Sequence, residues 1–364
     1  MRPTVLFLES SRNIGGQELQ IIQQIQQLTY RGWRAILICK KDSKIFRYAK
    51  ENNIEIFTSS LRNAVDITSI LNIRTLIKKS HPRALILHSG HDAIIGAIAA
   101  KSVGSERPRI IRMKTYLTDK IKSLPFKHLF DNTYTCSQFL RSELSRQSGI
   151  PEREFGVLYP GIDFEKLSAA GQSTLEPHVE EWIAKHPGPL IVHGAILREE
   201  KGHATLIKAI YKLRSKIPDI RYIAAGEGPL KNSLLQLTKE FQLEDNVYFP
   251  GMVSSIGSLL KRASLAVLPS KKEPLGMFQI EALQMGVPTI ASAIGGIPET
   301  IQNKETGLLV PPDDVEAWAE NIAWALSNIA LMRCWAAEGG RRNSQRFGIC
   351  QNTDTLISII ANTV

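Results

Sequence analysis

Residues 270–299 read SKKEPLGMFQIEALQMGVPTIASAIGGIPE, and two glutamates, Glu273 and Glu281, lie eight positions apart in this stretch. Glu273 follows a short apolar run that ends at Pro269, and Glu281 lies inside a helix that we expect to begin near Gly276. The N–H groups at a helix start point outward and bind phosphate. One carboxylate could bind a sugar and the other a ribose, on two sides of a bound diphosphate. The stretch therefore predicts a site for a sugar nucleotide.

The composition indicates a globular protein of two domains. The chain has 364 residues, more than one typical domain contains, and its 43% hydrophobic and 22% charged residues are ordinary values. The longest apolar stretch, 93–100, is far too short to span a membrane, and the first residues do not predict a signal peptide. Four cysteines without C-x-x-C spacing indicate free thiols rather than a disulfide framework or a zinc site. These features predict a cytoplasmic protein.

Positive charge is concentrated in the first half of the chain. Residues 1–170 carry 26 Lys and Arg against 15 Asp and Glu, whereas residues 171–364 carry 19 against 20. The densest part lies between Lys101 and Lys127. Such a surface suits an anionic acceptor or anionic lipid headgroups, which predicts a peripheral association with the inner face of the cytoplasmic membrane. A basic surface without any charged partner is the alternative, and no motif or aromatic interleaving points to nucleic acid.

Short apolar runs alternate with longer amphipathic runs along most of the chain, which predicts buried parallel strands separated by helices. The alternation stops at 167–188, where Ala, Gly, Ser and Pro predict a linker. The pattern therefore gives an α/β fold of two doubly wound, Rossmann-like domains, the first over 1–168 and the second over 169–348. Asp92 and Ser137 are each expected to cap a helix of the first domain. Ligands of such sheets bind at the carboxyl ends of the strands, so the loops after the strands are expected to carry function.

Several of these loops contain residues suited to a nucleotide. Arg198 and Lys201 are cations at a loop-to-helix junction, where they could neutralise a diphosphate leaving group. Glycines would let the backbone approach a ligand closely, although a glycine pair alone usually marks only a turn. The remaining candidates, which follow predicted strands, are Gly15, Gly16, Gly226, Gly228, Phe249 and Met252.

The sequence does not predict a metal site. His88 and His91 have ligand-like spacing, but two ligands do not make a site and no further ligand stands nearby in the sequence. No D-x-D triplet occurs in the chain, so the phosphates would depend on Arg198, Lys201 and helix N–H groups. The two histidines lie at a strand end, where they are instead expected to contact the acceptor or its sugar.

These motifs, taken in order, resemble those of the retaining glycosyltransferases of family 4, which have the GT-B fold of two Rossmann-like domains facing each other across a cleft. The resemblance covers nearly the whole chain. Within the family, the chain is similar to the bacterial enzymes of lipopolysaccharide and cell-surface polysaccharide synthesis. Its matching elements are the Gly-Gly-x-Glu loop at 15–18, the Gly-x-Asp hinge at 161–163, Lys201-Gly202, the Gly-x-Gly-Pro turn at 226–229 and the acid-x7-acid motif of Glu273 and Glu281.

The resemblance implies transfer of a sugar, with retention of configuration, from a nucleotide-diphosphate sugar, with a UDP-sugar favoured, to a glycan or lipid-linked acceptor. Glu273 would contact the donor sugar, Glu281 the ribose, and Arg198 and Lys201 the diphosphate. The first domain would bind the acceptor, the final helix, 349–364, would pack back on it, and no metal or other cofactor would be needed. The implied set is completed by the backbone of Leu275, Gly276, Met277 and Phe278 for the donor and by Arg112 and Lys114 for the acceptor.

The chain departs from the family pattern at three places. Ile196 stands where many members have an arginine, and Arg198 lies two positions later. Thr115 stands where many members have a histidine. The hinge has Tyr159-Pro160-Gly161 where Pro-Asn-Gly is common. The departures put the phosphate contact of the missing arginine and the sugar contact of the missing histidine in question, and His88 or His91 could replace the latter.

Other function classes remain open from the sequence. A sugar-nucleotide epimerase or an inverting transferase could use the same fold, and turnover of donor without acceptor would identify the epimerase. A non-catalytic nucleotide- or glycan-binding module would bind without turnover. A dehydrogenase is disfavoured because the G-x-G-x-x-G fingerprint is absent. The motifs leave the sugar, the base and the acceptor open.

Overall fold

The computed structural model describes residues 2–116, 118 and 121–361, apart from the side chain of His91. The chain divides into two compact units. The first consists of Met1–Ile162 and Phe347–Val364, and the second of Asp163–Arg346. The boundary predicted after residue 168 lies inside a helix of the second unit, Phe164–Ala170.

The first unit is built on a parallel sheet of seven strands in the order β3-β2-β1-β4-β5-β6-β7. The central strands are apolar throughout, as is typical of strands covered by helices on both faces. β1 lies between β2 and β4, so the strand order reverses at its side and creates a switch point at its carboxyl end. The strands are β1 (Thr4–Leu8), β2 (Arg34–Cys39), β3 (Glu55–Thr58), β4 (Ala84–Leu87), β5 (Arg109–Lys114), β6 (Asn132–Thr135) and β7 (Phe155–Val157).

Helices pack on both faces of this sheet. The C-terminal helix belongs here because Leu356, Ile359 and Ile360 are buried in the same apolar cluster as Ile21 and Ile25. Gln24 also donates a buried hydrogen bond to Asn352 at 3.0 Å, which fixes the register of the two helices. The helices are α1 (Gly16–Tyr30), α2 (Lys44–Glu51), α3 (Ile67–Ser80), α4 (Gly90–Lys101), α5 (Ser123–His128), α6 (Gln138–Ser148) and, last in the chain, α15 (Ile349–Ala361).

The second unit has a parallel sheet of six strands in the order β10-β9-β8-β11-β12-β13. Its switch point lies between β8 and β11, where the order again reverses. The strands are β8 (Leu190–Gly194), β9 (Arg221–Ala225), β10 (Val247–Gly251), β11 (Leu265–Leu268), β12 (Thr289–Ser292) and β13 (Leu308–Val310). The helices are α7 (Phe164–Ala170), α8 (Pro177–Lys185), α9 (His203–Leu213), α10 (Lys231–Glu240), α11 (Ile256–Arg262), α12 (Phe278–Gln284), α13 (Val315–Ser327) and α14 (Ile329–Phe347). In the part of the chain described, no helix is long and apolar enough to cross a membrane.

Two local expectations were wrong. The N-cap position of α4 is Ser89, whose hydroxyl makes no capping hydrogen bond, whereas Asp92 lies within the first turn and is fully buried. The segment 167–188 is not a flexible linker, because it contains most of α7 and all of α8 and buries Leu175 and Val179 in the core of the second unit. The expected cap at Ser137 is confirmed, since its hydroxyl accepts a hydrogen bond from the N–H of Leu140 at 3.0 Å.

A buried chain of hydrogen bonds fixes the loop after β8. The Nε2 atom of His203 lies 3.3 Å from the carbonyl oxygen of Ile196, and the Nδ1 atoms of His203 and His193 lie 3.1 and 3.2 Å from the hydroxyl of Tyr222. A carbonyl only accepts, so His203 carries its proton on Nε2, accepts from Tyr222 at Nδ1, and leaves the tyrosine oxygen to accept from His193. Burial lowers the pKa of both histidines, that of His203 to about 4. Both rings are therefore neutral, and the chain ties β8, β9 and α9 to the loop at Ile196.

We predict that Tyr222→Phe lowers the free energy of unfolding by about 2 kcal/mol, because it leaves one nitrogen of each buried histidine without a partner. Urea unfolding followed by tryptophan fluorescence measures this change mainly in the second unit, which contains four of the five tryptophans. Tyr211→Phe, at an exposed position of the same unit, is the matched control and should not move the midpoint. Equal midpoints for the two variants would refute a stabilising role of the Tyr222 hydroxyl between the two histidines.

Candidate functional site

The residues predicted to bind a donor lie around the switch point of the second sheet. Arg198 and Lys201 follow β8, and Glu273 follows β11, the neighbouring strand. Because the strands are parallel, the loops that follow them leave the same edge of the sheet. The fold therefore brings together residues that are 72 positions apart in the chain.

Lys201 and Glu273 form an ion pair at the centre of this edge. The Nζ atom of Lys201 lies 2.6 Å from Oε2 of Glu273, and the hydroxyl of Ser270 donates to the same oxygen at 3.3 Å. Glu273 is buried, with 7% of its surface exposed, and Lys201 is half-buried. A carboxylate at such a position needs a paired cation and hydrogen bonds, and both are present. In the part of the chain described, the other carboxylate oxygen and the two remaining ammonium protons are available to polar groups of a ligand.

Glycines allow the loops around this pair to approach closely. A Cβ atom on Gly202 would lie 1.9 Å from the carbonyl oxygen of Pro269, and its φ of +71° also favours glycine. A Cβ atom on Gly295 would lie 1.9 Å from the carbonyl oxygen of Glu273. The N–H of Gly296 donates to that same oxygen at 3.1 Å. The loop that carries Glu273 is thus packed against the loop after β8 at Pro269 and against the loop after β12 at Glu273.

The segment from Gly276 to Glu281 turns sharply into a helix. Gly276 has φ +80°, and α12 begins at Phe278, two residues later than expected. The buried side chain of Gln279 donates to the carbonyls of Leu275 and Gly276 at 2.8 and 3.2 Å, which holds the turn closed. Phe278 is buried and lies close to the His193 ring, with centroids 6.4 Å apart.

The start of this helix leaves N–H groups for a ligand. In the part of the chain described, the N–H groups of Gly276, Met277 and Phe278 donate to no backbone carbonyl outside the helix. The first N–H groups of any helix have no partner within it, so those near Phe278 remain available. Glu281 lies in the first turn of α12, and burial raises the pKa of its carboxyl to about 7. The turn therefore presents N–H donors followed by a carboxyl that titrates near neutral pH.

Arg198 is placed at the rim of the site. Its side chain is exposed, and its nearest anionic partner is Glu200, at 3.9 Å. Ile196, at the position where the family arginine was expected, is 39% exposed. The loop that carries both residues is fixed through the carbonyl of Ile196 by His203, as described above. Arg198 is thus an exposed cation on a loop held by hydrogen bonds, and its contact with a phosphate stays a prediction.

The remaining donor candidates of the second unit have different environments. A Cβ atom on Gly226 or Gly228 would lie 2.0 or 2.4 Å from a carbonyl oxygen of the loop after β8, so both positions require close backbone packing. The ring of Phe249 is in the hydrophobic core, and only its backbone can contribute to a site. Met252 is 70% exposed and is free to contact a ligand.

In the first unit, Gly15 and Gly16 lie at the start of α1, after β1. The carboxylate of Glu18 accepts a hydrogen bond from the N–H of Gly15 at 2.8 Å, which satisfies one of the helix-start N–H groups internally. The φ of Gly15 is −152°, which any residue can adopt. A glycine at this position therefore matters because it has no side chain, and not because of its backbone conformation.

A buried polar cluster beside this loop was missed by the sequence reasoning. Glu9, directly after β1, is fully buried and accepts hydrogen bonds from Gln17 at 2.6 Å, from the N–H of Ser11 at 2.7 Å and from the Ser89 hydroxyl. Burial and the nearby carboxylate of Asp92 raise the pKa of Glu9 to about 7. The sequence did contain a signal for this cluster, because the acidic Glu9 directly follows the apolar strand β1.

The candidates for acceptor contact in the first unit are largely buried. Arg112 is 5% exposed and donates from Nη1 to the carbonyls of Leu87, His88 and Met113, so its guanidinium supports the backbone between β4 and β5. His88 stacks on Phe7, and burial lowers its pKa to about 3. Burial also lowers the pKa of Lys114, to about 8. The side chain of His91 lies outside the described residues.

No group of three or more His, Cys, Asp or Glu that could hold a metal ion occurs among residues 2–116, 118 and 121–361. The ammonium group of Lys201 already provides a cation beside the buried carboxylate of Glu273.

Two protein-family models match the chain, one on each half. Residues 14–166 match the model described as Glycosyltransferase Family 4, and residues 177–341 match the model described as Glycosyl transferases group 1. The N-acetyl-alpha-D-glucosaminyl L-malate synthase of Bacillus anthracis is 29% identical over 183 residues, which are 50% of this chain and 47% of that protein. The chain thus spans about half the length of the first curated relatives that it matches. The EpsF protein of Bacillus subtilis, which carries a glycosyltransferase name, is 26% identical over 347 residues, 88% of this chain and 87% of that protein.

Solved structures share the fold. HepE of Anabaena, solved in complex with UDP and glucose, superposes with a TM-score of 0.82 at 19% identity and covers 99% of both chains. This likeness confirms the two-domain α/β architecture of the GT-B type. The two family models occur in order and together account for most of the sequence, and the chain belongs to glycosyltransferase family 4.

Proposed function

We propose that this protein transfers a sugar, with retention of configuration, from a nucleotide-diphosphate sugar to a glycan or lipid-linked acceptor, and that the donor is a UDP-sugar. The observation that carries the proposal is the ion pair of Lys201 and buried Glu273 at the switch point of the second sheet. The N–H groups of Gly276, Met277 and Phe278, at the turn into α12, follow three to five residues later in the chain. The UDP bound to Anabaena HepE, a protein of the same fold, supports the choice of donor.

The residues have separate roles in this proposal. Glu273 accepts hydrogen bonds from hydroxyls of the donor sugar, and Glu281 accepts them from the ribose. Lys201 and Arg198, with the N–H groups near Phe278, stabilise the negative charge that develops on the leaving diphosphate. The bond from the anomeric carbon to the diphosphate oxygen breaks as the acceptor oxygen attacks the same face. The acceptor's proton passes to a diphosphate oxygen, so no side chain acts as a general acid or base.

We expect Glu273→Gln to lower the rate of sugar transfer by about 100-fold or more, because the amide keeps the shape but loses the charge that binds the sugar hydroxyls and pairs with Lys201. Transfer of radiolabelled sugar from UDP-glucose and related donors into a cell-envelope glycan extract measures the rate. The matched control is Glu316→Gln, which removes an exposed Lys–Glu pair of the same unit. Near-normal transfer by Glu273→Gln, at unchanged thermal stability, would contradict the assigned role.

We also propose that the reaction needs no metal ion, because Lys201, Arg198 and helix N–H groups provide the positive charge around the diphosphate. Transfer is then expected to keep its full rate after dialysis against EDTA and to gain nothing from added Mg²⁺ or Mn²⁺. Complete loss of the activity on chelation, with recovery on adding metal, would overturn this part of the proposal.

The first domain is proposed to bind a cell-surface glycan precursor, such as a lipopolysaccharide core or a polyprenyl-diphosphate intermediate, from the cytoplasm at the inner membrane face. Its surplus of basic residues supports this role, and α3 exposes the apolar Ile67 and Leu71 on one side, with Lys78 and Lys79 in its last turn. Apolar side chains with nearby cations suit an interface of anionic lipids.

Binding to vesicles tests the membrane association. The protein is expected to sediment with vesicles that contain anionic phospholipid at low salt, and to be released at high salt, since screened charges no longer attract. Vesicles of neutral phosphatidylcholine are the control, and Lys78→Glu with Lys79→Glu should weaken the anionic binding. Equal binding to both vesicle types, or none to either, would refute an electrostatic membrane contact.

A further inference from the structure

A pocket in the first unit lies outside the site described above. Its volume is about 490 Å³, and its lining includes Lys40, Lys41, Ser60, Arg62 and Asn72. Lys40 follows the last residue of β2, and Ser60 lies two residues after β3. The pocket is therefore at the carboxyl edge of the sheet, the edge at which doubly wound sheets bind ligands. A volume of this size accommodates a small-molecule group rather than a single ion.

The pocket carries unbalanced positive charge. Lys40, Lys41 and Arg62 form no ion pair within 4.0 Å in the described part of the chain. Asp42 is the acidic residue of the lining, and it already pairs with Arg12 at 3.3 Å. The lining thus carries three cations against one carboxylate, that of Asp42, and an anion bound beside these cations would be favoured.

The wall of the pocket is a rigid loop with strained backbone. Leu61 has φ +44°, a left-handed conformation that a branched side chain rarely adopts, and its N–H donates to the Ser69 hydroxyl at 2.9 Å. Buried Asp66 accepts hydrogen bonds from the Ser60 hydroxyl at 2.6 Å and from the N–H of Arg62 at 3.0 Å. Hydrogen bonds of this kind, led by that of Ser60, hold the pKa of Asp66 well below its ordinary value. Strain that a network maintains in this way is typical of functional loops.

The pocket is also connected to the loop after β1. The N–H of Lys44, which begins α2, donates to the carbonyl of Arg12 at 3.0 Å. The pair of Arg12 with Asp42 joins the same two segments. The loop of Gly15 and the pocket are thus parts of one continuous surface along the carboxyl edge of the first sheet.

We propose that this pocket binds an anionic group of the acceptor, a phosphate or a carboxylate, between Lys40, Lys41 and Arg62. This inference rests on the proposed transfer reaction, and it narrows the acceptor class to glycans or glycolipids that carry an acidic substituent away from the reacting hydroxyl. Ser60 and Asn72 provide polar groups for hydroxyls next to that substituent. The cations bind and orient the acceptor and take no part in bond making.

Calorimetric titration of the full-length protein with glycerol 3-phosphate and, separately, with glucuronate tests the pocket. We expect Lys41→Glu with Arg62→Glu to weaken binding of at least one probe by about tenfold or more, because two charge-assisted contacts become repulsive. Both side chains are exposed, so the fold should tolerate the change. Lys216→Glu with Lys239→Glu makes the same charge change at two exposed positions of the second unit and is the matched control. Lys41→Gln with Arg62→Gln should give an intermediate effect.

The two probes separate the two kinds of acceptor. Selective loss of glycerol 3-phosphate binding supports a phosphate-bearing acceptor, and selective loss of glucuronate binding supports an acidic sugar. No measurable binding of either probe, or equal affinity in the pocket variant and the control, would overturn the pocket. A titration with UDP-glucose separates failure of the pocket proposal from failure of the proposed transferase function. The pocket variant should bind UDP-glucose like the unaltered protein, whereas failure of the unaltered protein to bind any nucleotide sugar would sink the transferase proposal alone.

Discussion

The second unit depends on the close contact of the loops that follow β8 and β11. Gly202 passes so near the carbonyl of Pro269 that a side chain at that position would collide, and this approach allows Lys201 to reach Glu273. The ion pair in turn compensates the cost of burying a carboxylate at the end of the sheet. Gly295 and Gly296 close in from the loop after β12 and hold the backbone of Glu273 in place. Small residues and one ion pair thus fix the geometry that a donor would meet.

The rigidity extends from this pair into the core through neutral groups. His203 donates to the carbonyl of Ile196 and is itself oriented by Tyr222, which lies on the adjacent strand β9. Because the histidines are buried near Lys201, their charged forms are disfavoured, and the loop is held by hydrogen bonds rather than by additional charge. A neutral support of this type adds no charge of its own beside Lys201 and Arg198. The site keeps a potential that suits a diphosphate.

Much of the fold could be predicted from the sequence, because buried parallel strands give apolar runs that alternate with amphipathic helices. Each unit has the parallel sheet flanked by helices that this alternation predicts. The contact of Lys201 with Glu273 could not be predicted from the residues alone, since it depends on which strands are neighbours. The burial of Arg112 could not be predicted either, because a basic residue within a run of basic residues is expected to lie at the surface. The Gly, Ser and Pro content of the segment 167–188 wrongly predicted a linker, although its apolar residues Leu175 and Val179 belong to the core.

The distribution of charge separates the two halves of the proposed reaction. A donor carries its negative charge on one diphosphate, which a few local cations and N–H groups can stabilise, and residues 171–364 accordingly carry 19 basic and 20 acidic residues. The 26 basic against 15 acidic residues of 1–170 therefore need another explanation. Part of that surplus is turned inward, since Arg112 is buried near Glu9 and Asp92, and Lys114 is buried near Arg112. Another part is exposed at the pocket of Lys40, Lys41 and Arg62 and along α3, and an acidic acceptor presented at an anionic surface would account for both.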